Sequence, residues 1–168
     1  MNKTEEVMKT AIQMEKDGIK YYTDAAGKIK NEAACKMFKF LIEDEKRHIE
    51  RWKSVSVKEG FTASEKKESL KTAGKIKTIF SSVSPGITEN IQASSEEADV
   101  LTEAIKLEEK GIQYYSEKSK ELEGKAAELC KIIAEEEKTH RDILLNTLEY
   151  IQHNWQWNVD TENWAFEG

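Results

Sequence analysis

A glutamate and a histidine interrupt an apolar helical stripe in the segment FLIEDEKRHIERW, residues 40–52. Leu41, Glu45, His48 and Trp52 follow one another at intervals of four, three and four positions, the spacing of one face of an α-helix. A face of this kind normally packs into a protein core. Because an unpartnered carboxylate or imidazole is costly to bury, the fold must supply partners for both side chains.

The same pattern occurs twice in the chain. Residues 11–22, AIQMEKDGIKYY, align with residues 104–115, AIKLEEKGIQYY, and residues 40–48, FLIEDEKRH, align with residues 132–140, IIAEEEKTH. Each copy therefore contains one segment with Glu-x-x-Gly and a second segment with Glu-x-x-His. A repeat of this kind indicates an internal duplication of a pair of helices.

The periodicity predicts four long helices, at residues 3–27, 31–58, 95–122 and 125–152. The links within each pair are short, which favours antiparallel neighbours. The link between the pairs, residues 59–94, is long enough to cross the bundle, and it includes a short predicted helix over Glu65–Phe80. We expect an all-α fold, a ferritin-like four-helix up-down-down-up bundle with one long crossover.

The length of 168 residues fits one domain, so we expect residues 1–168 to form a single ferritin-like domain. The tail, residues 153–168, contains Trp155, Trp157, Trp164 and Phe166. A tail this aromatic is expected to pack across the bundle or against a second subunit, and a homodimer is the expected assembly.

Composition excludes several classes of protein. A net charge of −6 argues against nucleic-acid binding, and no apolar run approaches the ~20 residues that span a bilayer. The N-terminus lacks the pattern of a signal peptide, so a cytoplasmic location is expected. Cys35 and Cys130 form no CxxC, which rules out a zinc or rubredoxin-type iron site built from cysteines.

Four glutamates and two histidines lie near the middle of the predicted helices and would meet in one layer. Two imidazoles cannot balance four carboxylates, whereas two divalent metal ions can. A Glu and a His three positions apart reach one ion, and this layout is that of di-iron carboxylate bundles. The alternative is a degenerate bundle with the acids turned outward. The predicted metal ligands are Glu15, Glu45, His48, Glu108, Glu137 and His140.

On the motifs MEKDGIKYY, EDEKRH, LEEKGIQYY and EEEKTH, the chain resembles the rubrerythrin-like di-iron proteins of the ferritin-like superfamily that lack a rubredoxin domain. The resemblance implies that Tyr22 and Tyr115 hydrogen-bond to ligand carboxylates. It also implies that Asp44 and Glu136 each orient a ligand histidine on the neighbouring helix, since a metal-bound histidine usually donates its other N–H to such a partner.

The chain departs from this family in two ways. Rubrerythrins have a seventh ligand, a glutamate, at the position of Gly111, so peroxidase activity of the rubrerythrin type is in doubt. The rubredoxin centre is also missing, so electrons are expected from a separate donor, a rubredoxin or a reductase. Gly18 and Gly111 have two interpretations: space beside the metals for a small molecule, or close approach of two helices.

The resemblance implies a cofactor of two iron ions, with manganese or zinc as alternatives that the same ligands would accept. The first functional hypothesis is an oxidoreductase that reduces hydrogen peroxide or dioxygen, in defence against oxidative stress. The second is a ferritin-like ferroxidase that handles iron. A bundle with an inert metal and an oxygenase acting on an organic substrate also remained open.

Overall fold

The computed structural model describes residues 3–55 and 95–153, and within these ranges it contains four α-helices and no strand. The predicted helix bounds agree with the structure to within one residue, apart from the predicted end at residue 58. Three predicted features lie outside the described residues: the end of the second helix at residue 58, the crossover with its short helix, and the aromatic tail. The helices are α1, Lys3–Lys28; α2, Glu32–Val55; α3, Ser95–Glu121; and α4, Gly124–His153.

The four helices pack side by side in the cyclic order α1, α2, α4, α3. Within each pair the short link makes the helices antiparallel. The pairs meet through α1 and α3, where Lys3 lies opposite Glu121 and Tyr21 lies opposite Val100, so these helices are antiparallel as well. Helices α2 and α4 are antiparallel too, because His48 lies opposite Glu136 and Met37 lies opposite Thr147. The up-down-down-up bundle predicted from the sequence is confirmed.

The turn between α1 and α2 is tied to the start of α3. Asn31 caps α2, because its Oδ1 accepts a hydrogen bond from the backbone N–H of Ala34 at 3.0 Å. The carboxylate of Glu97 accepts hydrogen bonds from the backbone N–H groups of Lys30 and Asn31, at 2.7 and 3.3 Å. These bonds satisfy donors at the start of α2 that have no partner within the helix.

Two apolar clusters fill the bundle, one toward each end. The first includes Phe38, Leu41 and Leu144, and the second includes Trp52 and Ile133, all fully buried. The layer between them is polar, and it holds the glutamates and histidines that interrupt the stripes. Burial of the clusters stabilises the bundle and keeps water away from this layer on two sides. No helix among the described residues is apolar over a stretch long enough to cross a membrane.

Candidate metal centre

The side chains that the sequence predicts as metal ligands converge in the polar layer, and all are buried. They form two overlapping groups, and within each group one ligand atom per residue lies within 4.8 Å of the others. Site A consists of Glu15, Glu45, His48 and Glu137, and site B of Glu45, Glu108, Glu137 and His140. Because Glu45 and Glu137 belong to both groups, they are placed to bridge two ions.

His48 presents one ring nitrogen to the cluster and the other to a partner behind it. Its Nδ1 lies 3.0 Å from Oε2 of Glu45 and 3.3 Å from Oε1 of Glu137. Its Nε2 lies 2.9 Å from Oε2 of Glu136, which is the partner that the resemblance implies. A hydrogen bond from Nε2 to this carboxylate orients the ring, so that Nδ1 faces site A.

His140 has the equivalent arrangement in site B. Its Nε2 lies 3.2 Å from Oδ2 of Asp44. Its Nδ1 lies 3.6 Å from Oε1 of Glu45 and 3.7 Å from Oε2 of Glu108, which is too far for a hydrogen bond. The ring is thus held from behind, while its inward nitrogen faces three carboxylates.

Two arginines that were not predicted from the sequence lie behind the histidines. Arg51 donates to Glu136, and Arg47 donates to Asp44, each at 2.5 Å. The carboxylates of Asp44 and Glu136 therefore each contact an arginine as well as a histidine of the cluster. A signal was present, because Asp44, Arg47 and Arg51 follow one another at helical spacing on one face of α2.

The two tyrosines act across the bundle. The hydroxyl of Tyr22 on α1 donates to Oε1 of Glu108 on α3, and the hydroxyl of Tyr115 on α3 donates to Oε1 of Glu15 on α1. Burial raises the pKa of both phenols well above the ordinary value, and the facing carboxylates raise it further. Both tyrosines therefore stay protonated and act as donors that hold the glutamates.

The glutamates repel one another in the absence of metal. Burial and the charge of Glu45 raise the pKa of Glu15 to about 8. Burial also raises the pKa of Glu137, and the charges of Glu45 and Glu108 add to the effect. The pKa of Glu45 is lowered instead, against the effect of burial, because the imidazoles of His140 and His48 lie beside its carboxylate.

The pKa values of the two histidines are also shifted by the buried carboxylates. Burial lowers the pKa of His48, but the hydrogen bond to Glu136 and the nearby carboxylate of Glu137 outweigh this effect and raise the pKa well above the ordinary value. The pKa of His140 is likewise raised, against the effect of burial, by the charge of Glu108 and by Asp44. The cluster without metal therefore binds protons in place of cations.

Several inward-facing atoms lack a hydrogen-bond partner among the described residues. They include Oε2 of Glu108, Oε1 of Glu137 and Nδ1 of His140, all buried. Orphaned polar atoms are costly in a protein interior, and ions in sites A and B would satisfy these three. The residues therefore fit a pair of divalent cations, and carboxylate with imidazole suits iron, manganese and zinc alike. The assignment of individual ligands stays a prediction.

A pocket of about 180 Å³ lies between α1 and α3 and opens onto this cluster. Its wall includes the exposed Asp17 and Lys110 as well as buried glutamates, so it leads from the surface to the polar layer. Gly18 and Gly111 both line it. A β-carbon at Gly18 would meet no atom closer than 3.9 Å, so there is room for one here, and this glycine does not mark a tight contact between helices.

Comparison with known proteins gives one match. Neither a curated protein nor a solved structure matches the chain significantly. The family model described as Rubrerythrin matches residues 6–97 and 99–166, which include all six predicted ligands and both tyrosines. With a four-helix bundle and a buried cluster of carboxylates and imidazoles that fits a di-metal centre, the chain belongs to the rubrerythrin family.

Proposed function

We propose that this protein is a non-haem di-iron oxidoreductase that reduces hydrogen peroxide or dioxygen, with electrons from a separate donor, in defence against oxidative stress. The observation that carries the proposal is the pocket between α1 and α3, which leads from the surface to the glutamates of both metal sites. A purely structural metal site is normally closed by protein ligands, whereas a catalytic one keeps a route for a small molecule.

Under this proposal, site A and site B would each hold one iron ion. Glu15 and His48 would hold the first, Glu108 and His140 would hold the second, and Glu45 and Glu137 are available to both. A pair of ferrous ions supplies two electrons, and hydrogen peroxide with two electrons and two protons gives two molecules of water. The donor that restores the electrons is expected to be a rubredoxin or a reductase, since the chain has no CxxC motif of its own.

The residues around the ions bind, orient and exclude water. Hydrogen bonds from Tyr22 and Tyr115 hold Glu108 and Glu15, respectively. Asp44 and Glu136 orient the two imidazoles. The apolar clusters close the layer at both ends, so a small molecule enters from the side through the pocket. A volume of about 180 Å³ suits peroxide or dioxygen with accompanying water.

The test begins with protein purified without oxygen. Elemental analysis should give two iron ions per chain, and one equivalent of hydrogen peroxide should oxidise both quickly, as followed in the optical spectrum. Glu45→Ala and Glu137→Ala should each lower the metal content to one ion or fewer. The matched controls are Glu43→Ala and Glu135→Ala, because each of these exposed glutamates lies two positions before a predicted ligand.

Other results would point elsewhere. Oxidation that is slow with peroxide and faster with dioxygen, together with iron taken up beyond two ions per chain as a soluble core, would favour the ferroxidase alternative. Two zinc or manganese ions that do not react would favour an inert site. Full metal content in both alanine variants at Glu45 and Glu137 would refute the ligand assignment.

A further inference from the structure

The two glycines that line the pocket occupy equivalent positions in the repeat but have different neighbours. A β-carbon at Gly18 would lie 3.9 Å from Cγ of Glu45 and 3.9 Å from a ring carbon of Tyr22, which is ordinary contact. A β-carbon at Gly111 would lie 3.2 Å from Oε2 and 3.3 Å from Cδ of Glu137. Only the second position places a carboxylate against the helix backbone.

The two shared glutamates are thus oriented differently. The carboxylate of Glu45 lies between the imidazoles, with its oxygens 3.0 Å from Nδ1 of His48 and 3.6 Å from Nδ1 of His140. The corresponding distances from Glu137 are 3.3 and 4.0 Å, both longer. Glu137 is therefore displaced toward α3 and the pocket, into the space that a side chain at position 111 would fill.

We propose that Gly111 is a positioning residue for Glu137. The missing side chain at this position lets the Glu137 carboxylate lie on the pocket side of the cluster, where site A and site B share it. Gly18 has no such role, and its absent side chain leaves free space in the pocket. The inference rests on the proposed function, because it takes Glu137 to be a metal ligand.

An added methyl group at position 111 would have to displace the carboxylate by a few tenths of an ångström. The Glu137 carboxylate lies 3.3 Å from Nδ1 of His48 and 4.0 Å from Nδ1 of His140, so a shift away from position 111 would change these distances. Changes in the groups that orient a metal ligand typically cost ~10–100-fold in metal affinity. We expect a loss in this range for at least one of the two ions in Gly111→Ala.

The experiment is a titration of the metal-free, full-length protein with cobalt(II), which reports both affinity and coordination through its visible spectrum. Gly18→Ala is the matched control at the equivalent position of the repeat. Gly27→Ala is the control for helix propensity, because Gly27 is exposed on α1 with no atom near its added β-carbon. Both controls should bind two ions with the parent's affinities and spectrum.

Gly111→Ala should bind at least one ion ~10-fold more weakly, with an altered spectrum. Its metal-free form should be no less stable than the parent, because alanine favours a helix over glycine. Affinities and a spectrum equal to those of Gly18→Ala would overturn the inference. A parent protein that fails to bind two ions would instead refute the proposed function, so the two failures are distinguishable.

A double-mutant cycle covers the case in which Gly111→Ala folds poorly. Glu137→Asp shortens the side chain and withdraws the carboxylate from position 111. Adding Gly111→Ala to this background should have little further effect on cobalt affinity, since the group with which the methyl clashes has gone. An equal loss in both backgrounds would mean that Gly111 acts on the fold and not through Glu137.

Discussion

Arg51 of α2 forms a buried ion pair with Glu136 of α4, with 2.5 Å between its guanidinium and the carboxylate. The same carboxylate contacts Nε2 of His48, so one acid ties an arginine and an imidazole together across the helix interface. Both partners in the ion pair are buried. The pair therefore differs from the many surface ion pairs of this protein, which are mostly exposed to solvent.

Replacing Arg51 with leucine should destabilise the metal-free protein strongly. The change leaves the buried carboxylate of Glu136 with the imidazole of His48 but without its guanidinium partner, and breaking a buried pair typically costs up to about 3–5 kcal/mol. Urea denaturation gives the free energy of unfolding. The control is Lys46→Ala, which breaks an exposed pair with Glu43 and should cost less than about 1 kcal/mol. Similar losses in both variants would contradict the prediction.

The tyrosines allow a comparison between neighbours in the sequence. Tyr22→Phe removes the donor to the buried carboxylate of Glu108, whereas Tyr21→Phe removes a donor to the backbone carbonyl of Val100. A hydrogen bond to a charged group contributes about 1.5–3 kcal/mol and a neutral one about 1 kcal/mol. Tyr22→Phe should therefore lower the free energy of unfolding more than Tyr21→Phe does.

The second half of the chain offers an independent repeat of that comparison. Tyr115 donates to Glu15, and Tyr114 donates to the backbone carbonyl of Val7 at 3.1 Å. Urea denaturation of the metal-free phenylalanine variants, at a pH above about 8 where Glu15 is ionised, should reproduce the order found in the first half. If the variant at Tyr114 lost more stability than the variant at Tyr115, the bond to the carboxylate would not be the stronger one.

Glu15 makes the metal-free protein less stable as the pH rises. The folded-state pKa of about 8 lies above the ordinary value of 4.5, so the folded protein keeps a proton that the unfolded chain has released. The resulting cost is absent below pH 4.5, grows through neutrality, and is complete above about pH 8. Glu15→Gln should remove it, so this variant should become progressively more stable than the parent over that interval.

The measurement is thermal unfolding of both proteins, in the presence of a chelator, at pH 5 and pH 8. Near pH 8 the advantage of Glu15→Gln should reach several kcal/mol. The control, Glu109→Gln, replaces an exposed glutamate on α3 and should differ little from the parent at either pH. An advantage for Glu15→Gln that is the same at both pH values would show that ionisation of Glu15 is not its cause.

Gly124 provides a prediction about the backbone alone. It begins α4 with a φ of +60°, a conformation that costs a residue with a β-carbon about 1–2 kcal/mol. No neighbouring atom lies within 4 Å of an added β-carbon, so the loss in Gly124→Ala should come from strain and not from a clash. Gly27→Ala should instead stabilise by up to about 1 kcal/mol. Thermal unfolding of both variants tests the contrast.

The sequence predicts the fold and the members of the cluster because both depend on periodicity. Spacings of three and four place Glu45 and His48 on the core face, and the repeat places their equivalents opposite. The sequence analysis did not identify Arg51, because a long charged side chain near other charges is usually solvated. Its partner lies on another helix, so only the packing of α2 against α4 shows that it is buried.

The different positions of the Glu45 and Glu137 carboxylates also could not be predicted from the sequence. Both belong to the same motif, and both face a glycine on the neighbouring helix. The position of each carboxylate depends on its side-chain torsions, which respond to the local packing and to the hydrogen bonds available to each oxygen. A repeated motif thus predicts which residues meet, but it does not predict how symmetrically they are arranged.

Each metal site combines residues from both helix pairs, which bears on how such a duplicated chain can arise. Site A takes residues from α1, α2 and α4, and site B from α2, α3 and α4, so neither helix pair holds a complete site. A single hairpin of this kind would need a second copy of itself to complete either site. In one chain the two copies need not be identical. Arginines on α2 without counterparts on α4 are what that freedom would produce.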